Sequence, residues 1–92
     1  MITLLDQQTP DDIATALVQR VRMRRKEQKL TQAQLALKAG VSLGSIKRFE
    51  RDHQISLTSL IKISIALGSE SDFESLFSKR GYASIQEVID DA

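Results

Sequence analysis

The chain has 92 residues, of which 41% are hydrophobic and 27% are charged, and this predicts one small globular domain. Cysteine is absent and there is a single histidine, which excludes disulfide frameworks, zinc fingers and catalytic sites built on cysteine, so we expect no metal and no cofactor. The net charge of +1 conceals an uneven distribution, because residues 20–51 hold ten Lys or Arg against two Glu. Both ends of the chain are acidic, which favours a polyanion as the partner of the basic middle.

The residue inventory also argues against an enzyme. It contains no pairing of a nucleophile with a base, no set of metal ligands and no glycine-rich phosphate loop. No apolar run reaches the length of a membrane span, and residues 1–12 have no basic stretch before an apolar core. We therefore expect a soluble, cytoplasmic protein without a secretory signal or a membrane partner.

The elements predicted in chain order are helices, which makes the fold all-α. The first helix starts near Pro10 with Thr9 as its N-cap, and four-residue spacing predicts an inward stripe of Ile13, Leu17, Val21 and Arg25. The second spans Gln32–Ala39 after the N-cap candidate Thr31. Gly40 follows it, where a left-handed backbone favours a residue without Cβ.

The third helix is predicted over Leu43–Arg51, with Ser42 as its N-cap. Its inner face holds Ile46, Phe49 and Glu50, and its outer face holds Gly44, Lys47, Arg48 and Arg51. A fourth helix over Leu57–Leu67 is capped by Ser56 or Thr58, and a fifth lies around Ser71–Phe77. Ser84–Ile89 is a candidate for a last helical turn. We divide the chain into an arm (1–9), a helical domain (10–78) and a tail (79–92).

Residues 31–50, TQAQLALKAGVSLGSIKRFE, predict two short helices joined by a tight turn at Gly40. This arrangement lets one helix enter a DNA major groove while the other braces across the backbone. The stretch from Val21 to Gly68 resembles the phage-repressor-type (Cro/C1, or XRE) helix-turn-helix proteins. The resemblance rests on Arg25, Thr31-Gln32, Leu35-Ala36, Ala39-Gly40-Val41-Ser42, Ser45-Ile46, Phe49-Glu50 and Leu60…Ala66-Leu67-Gly68. It implies a compact five-helix domain that binds operator DNA as a dimer and regulates transcription.

The resemblance also implies roles for single residues. It places Leu43, Gly44, Lys47 and Arg48 at base edges, with Ser45 as a further candidate, and Gln32 and Ser42 at phosphates, with Thr31 and Arg51 beside them. Gly44 has no side chain and Leu43 offers only apolar contact, so base reading would depend mainly on Lys47 and Arg48. The alternative is that the side chains of Lys47 and Arg48 touch only phosphates. The lone His53 is either a phosphate contact or a solvated loop residue.

Arg25 and Glu50 both fall on inward stripes, and the resemblance also matches them to a buried salt bridge. A buried charge without a partner costs several kcal/mol, which favours the pair over two side chains that each reach solvent. Glu50 is therefore expected to contribute to stability more than to DNA contact.

The second half of the chain has more apolar residues than one small core requires. We expect a two-fold dimer interface there, whereas packing within the chain is the alternative for some of its members: Ile63, Ile65, Phe73, Leu76 and Phe77. The arm Met1–Leu5 and the tail residues Ile85–Ile89 are further candidates for contacts with a partner chain.

Two functions follow from these patterns. The first is a sequence-specific repressor or autoregulator that binds double-stranded DNA. The second is an antitoxin, since small proteins of this layout also resemble the DNA-binding (HipB-like) antitoxins encoded beside HipA-type kinase toxins. In that case the chain would bind both its own operator and a toxin kinase.

Overall fold

The computed structural model describes residues 8–80, which form five α-helices and no strands. In chain order these are α1 (Pro10–Glu27), α2 (Gln32–Ala39), α3 (Leu43–Asp52), α4 (Leu57–Ala66) and α5 (Ser71–Glu74). The predicted all-α, five-helix fold is confirmed. The arm Met1–Leu5 and the candidate turn Ser84–Ile89 lie outside the described residues.

Four helices begin at the N-caps that the local sequence predicts. Thr9 and Thr31 each form a reciprocal capping box. The threonine hydroxyl accepts the backbone N–H of the third helical residue, and the side-chain oxygen of that residue accepts the backbone N–H of the threonine. Ser42 and Ser56 each accept the backbone N–H three residues further on. Ser56 rather than Thr58 is therefore the cap of α4.

Four helix ends turn through the left-handed region of the backbone, and one of them is Gly68, with a φ of 74° after α4. Gly40 has a φ of 72° after α2, as predicted. Lys29 after α1 and His53 after α3 adopt φ values of 59° and 62° although neither is glycine. Left-handed turns at these positions stop one helix and redirect the chain towards the next.

The core forms where α2 meets its neighbours. α2 packs against both α3 and α4, and α1 packs against α3. The central cluster of buried side chains comprises Leu35, Ala36, Ile46, Ile63, Ala66 and Leu67. Val18 and Phe49 are buried as well. Because the cluster takes side chains from α2, α3 and α4, it fixes the angle between the two helices that the turn at Gly40 joins.

The inward stripe predicted for α1 is wrong at its first member. Ile13 is 53% exposed, whereas Val18 is buried and Arg25 lies on the same side of the helix. At 100° per residue, Val18 and Arg25 fall within about 20° of each other, while Ile13 is about 140° away from Val18. Residues spaced by four rotate by about 40° around the helix at each step, so the predicted stripe does not stay on the side of α1 that faces α3.

Two predictions for the second half of the chain also need correction. Ile63, which was expected at a dimer interface, is 1% exposed, so it packs inside the chain. The fifth helix ends at Glu74 instead of Phe77. No side chain caps its start, and the φ of 62° at Phe77 cannot continue a right-handed helix.

Among the helices described, none combines the length with the apolar character needed to cross a membrane.

Candidate nucleic-acid interface

Helix α3 divides its side chains cleanly between the core and solvent. Ile46 and Phe49 are buried, whereas Lys47, Arg48 and Arg51 are exposed on the other side. The helix is thus held from within by apolar contacts and presents three cations outward. This is the geometry that the basic periodicity of the sequence predicts.

The turn before α3 sets its direction relative to α2. The backbone N–H groups of Gly40 and Val41 both donate to the carbonyl of Ala36, at 2.9 and 3.1 Å. Residues 40–42 are the whole connection between the helices, and Ser42 then caps α3. A connection this short holds α2 as a brace beside the exposed face of α3.

A single buried carboxylate ties α3 to the two helices before it. Arg25 of α1 donates to Glu50 through Nε at 2.8 Å and through Nη2 at 3.0 Å. Gln32, the first residue of α2, donates from Nε2 to the same carboxylate at 3.0 Å. The Glu50 side chain is 5% exposed, so its charge is compensated almost entirely by protein groups. The ion pair predicted between Arg25 and Glu50 is therefore present.

The network extends on both sides of this pair. Arg25 Nη1 donates to the carbonyl of Leu30 at 2.9 Å, which fixes the loop between α1 and α2. The Nε atom of Arg22 lies 3.5 Å from Glu50, while half of the Arg22 side chain stays accessible to solvent. Arg22 is thus the outermost member of a group that is otherwise buried.

The side chains predicted to anchor phosphates at the start of α2 are engaged within the chain. The Thr31 hydroxyl accepts the backbone N–H of Gln34 at 3.0 Å, and Gln32 is bonded to Glu50. Thr31 is exposed and Gln32 is half-buried. Their phosphate contacts stay a prediction, and in the chain by itself both side chains shape the junction between α1, α2 and α3.

The first turn of α3 carries the remaining predicted DNA residues. Ser42 and Ser45 share a hydrogen bond between their hydroxyl oxygens at 2.8 Å. Leu43 and Gly44 are exposed beside them. The N-terminal end of α3 therefore presents two hydroxyls, one apolar side chain and one glycine without a side chain.

Arg51 has a partner that the sequence analysis missed. Its Nε donates to both carboxylate oxygens of the next residue, Asp52, at 3.0 and 3.1 Å, and its Nη2 donates to Oδ2 at 2.8 Å. The hydrogen bonds from Arg51 hold the pKa of Asp52 below its usual value, and Asp52 in turn raises the pKa of Arg51. Adjacent residues on a helix do not face each other, so helical periodicity gives no signal for this pair.

A shallow polar cleft lies beside Arg48, and sequence reasoning missed part of it as well. The residues that line it are Ser45, Arg48, Gln54, Ile55, Ser56 and Ser59. Gln54, Ile55 and Ser59 were not singled out. The sequence feature that could have predicted this cleft is the N-cap Ser56, four residues after the end of α3. A connection this short brings the polar groups at the start of α4 next to the outer face of α3.

His53 lies between the end of α3 and the start of α1. Its Nδ1 is 3.5 Å from the Thr15 hydroxyl and 3.8 Å from a carboxylate oxygen of Asp11. The ring is half-buried, so it belongs to the contact between these helices more than to the solvent-exposed loop of the alternative interpretation. Its proposed contact with phosphate stays a prediction.

Comparison with known families identifies the class of protein that these helices form. A family model described as helix-turn-helix matches residues 21–73, more than half of the chain. The chain therefore belongs to the helix-turn-helix family, in the Cro/C1 type that its residues resemble. It is a DNA-binding transcription regulator of that family. Comparisons with curated proteins and with solved structures gave no match.

Proposed function

We propose that this protein binds duplex DNA in a sequence-specific manner by placing α3 in the major groove, and that it acts as a homodimeric repressor or autoregulator. The observation that carries the proposal is the shared exposed face of Lys47, Arg48 and Arg51, opposite a face that the core holds. Membership of the helix-turn-helix family supports duplex DNA as the polyanion that this face meets.

Base reading is assigned to the middle of α3. Arg48 has the donor geometry for a bidentate contact with guanine, which discriminates by about 1–3 kcal/mol. Lys47 lies beside it, and Leu43 offers an apolar surface of the kind that contacts a thymine methyl. Gly44 presents no side chain, so the backbone of α3 can approach the base edges closely at this point.

Phosphate contacts are assigned to the two helix starts and to the last turn of α3. Thr31 with Gln32 at α2, and Ser42 at α3, lie where free backbone N–H groups and the helix dipole favour an anion. Arg51 adds a cation at the far end of the same face. These contacts would set the register of α3 on the duplex without reading sequence.

The dimer interface is assigned to exposed apolar residues after α3. Ile65 and Leu76 are exposed, Phe73 is half-buried, and Phe77 is 94% exposed. Apolar side chains in this state favour a protein partner. A two-fold pairing through them would present two copies of α3 to half-sites about one helical turn of DNA apart.

The experiment that tests this proposal is the selection of bound duplexes from a random pool, with a pull-down from the native host. We expect enrichment of a site with two-fold symmetry, with half-site centres about 10 bp apart. Failure to enrich any sequence would contradict the proposal. Recovery of a kinase-sized partner in the pull-down would favour the antitoxin function, in which DNA binding serves to regulate the protein's own operon.

A further inference from the structure

Arg51 differs from the other cations on the outer face of α3 because its charge is already paired within the chain. Three hydrogen bonds join its guanidinium to the Asp52 carboxylate, with the shortest at 2.8 Å. Both groups are accessible, since the side chain of Arg51 is 73% exposed and that of Asp52 is 46% exposed. The pair therefore lies on the surface that we assign to DNA.

Asp52 is also the one acidic side chain that α3 exposes, because Glu50 is buried against Arg25. Within residues 8–80 neither Lys47 nor Arg48 forms an ion pair. The pKa of Asp52 is lowered first by its hydrogen bonds from Arg51, and the charges of Arg48 and His53 lower it further. The Asp52 carboxylate is ionised at neutral pH, since even the ordinary pKa of an aspartate, 3.8, lies well below 7. It contributes a fixed negative charge at the end of an otherwise cationic face.

We propose that Asp52 competes with DNA phosphate for Arg51 and thereby limits the affinity of α3 for any duplex. The inference rests on the proposed function. Carboxylate and phosphate use the same fork of guanidinium donors, so a phosphate that reaches Nε and Nη2 must displace Asp52. A phosphate that binds the remaining donors instead lies close to the charge of the carboxylate. In both geometries Asp52 weakens a contact that carries no sequence information.

The test is the binding of wild type and Asp52→Asn to a labelled duplex of random sequence, measured by fluorescence anisotropy over a range of salt concentrations. Asparagine keeps the shape of the side chain and removes its charge. We expect binding that is tighter by about two- to fivefold, the scale of one exposed ion pair. The slope of log K against log salt should steepen by about 0.9, since one more phosphate is neutralised.

Two further variants separate competition for Arg51 from a general change in charge. Glu27→Gln removes an acid from the other exposed pair, with Arg24 at 2.8 Å, and should leave affinity unchanged. In an Arg51→Ala background, Asp52→Asn should lose most of its effect. An undiminished effect in that background, or weaker binding by Asp52→Asn alone, would overturn the inference. Absence of binding by wild type and variant alike would instead overturn the proposed function and the inference with it.

Discussion

At the scale of single residues, Glu50 joins three helices through one carboxylate. Arg25, Gln32 and the more distant Arg22 all approach it from α1 and α2. Since a buried ion pair is costly to break from one side, the network makes the position of α3 depend on a side chain that does not face DNA.

Replacing Glu50 with Ala should therefore affect folding before it affects binding. The change leaves the Arg25 guanidinium buried without its carboxylate, and we expect a loss of about 3–5 kcal/mol in unfolding free energy. Thermal melting followed by circular dichroism measures it. The matched control is Glu27→Ala, whose exposed pair with Arg24 should contribute at most about 0.5 kcal/mol. Equal melting temperatures for the two variants would contradict the assignment.

Arg48→Ala tests the reading of bases. If Arg48 contacts guanine, the variant should lose discrimination at one base-pair position, by about 1–3 kcal/mol, while binding to other sequences changes little. Affinity for a panel of single-base variants of the selected site measures this. A uniform loss across the panel, together with a shallower salt slope, would instead assign Arg48 to the phosphate backbone.

Periodicity predicted that Arg25 and Glu50 both face inward, and the resemblance to the repressor-type family matched the two as a pair. The bond from Gln32 to Glu50 was not predicted, because the Gln32 amide suits a phosphate equally well. Asp52 was out of reach for a different reason, since its partner is the preceding residue and local rotamers decide whether the two meet. The residues that contact DNA stay a prediction.

At the scale of helices and turns, the sequence predicts boundaries well where one residue supplies the local hydrogen bond. Thr9, Thr31, Ser42 and Ser56 each satisfy backbone N–H groups at a helix start, so short-range chemistry alone locates them. The start of α5 has no such residue, and its end at Glu74 differs from the predicted Phe77. Which side of α1 faces the core depends on the packing of α3, which is why the stripe from Ile13 failed.

Substitutions at two left-handed turns should change stability in opposite directions. At Gly40 a Cβ would meet nothing within 4 Å, so Gly40→Ala should cost about 1 kcal/mol through backbone strain alone. At Lys29 the strained residue is already present, and Lys29→Gly should gain up to about 1 kcal/mol. The midpoint of thermal unfolding should move down and up respectively, by about 4–8 °C per kcal/mol. Shifts of the same sign would contradict this account of the turns.

At the scale of the whole molecule, the proposed two-fold pairing depends on apolar residues that the folded chain leaves exposed. Ile63 was removed from this set because it fills the core, and residues such as Ile65 and Phe77 remain. Sequence composition can indicate an excess of apolar residues, but the packing of the folded chain is needed to say which of them stay exposed.

Ile65→Asp should convert a dimer into a monomer. The side chain is 58% exposed, so the charge would be tolerated within the chain and would oppose apolar contact with a second copy. Sedimentation equilibrium measures the mass, and thermal melting checks that the fold is kept. The control Leu37→Asp introduces the same charge at an exposed site on α2, outside the proposed interface, and should leave the mass unchanged. A dimer that persists in Ile65→Asp would place the interface elsewhere.

The division of α3 into a buried side and a free side has a consequence for how such proteins diversify. Ile46 and Phe49 support the architecture, whereas Leu43, Gly44, Lys47 and Arg48 contribute no side chain to the buried core. If the outer residues read bases as proposed, their exchange would redirect the protein to another operator at little cost in folding. The scaffold and its recognition code can accordingly evolve, or be engineered, as separate traits.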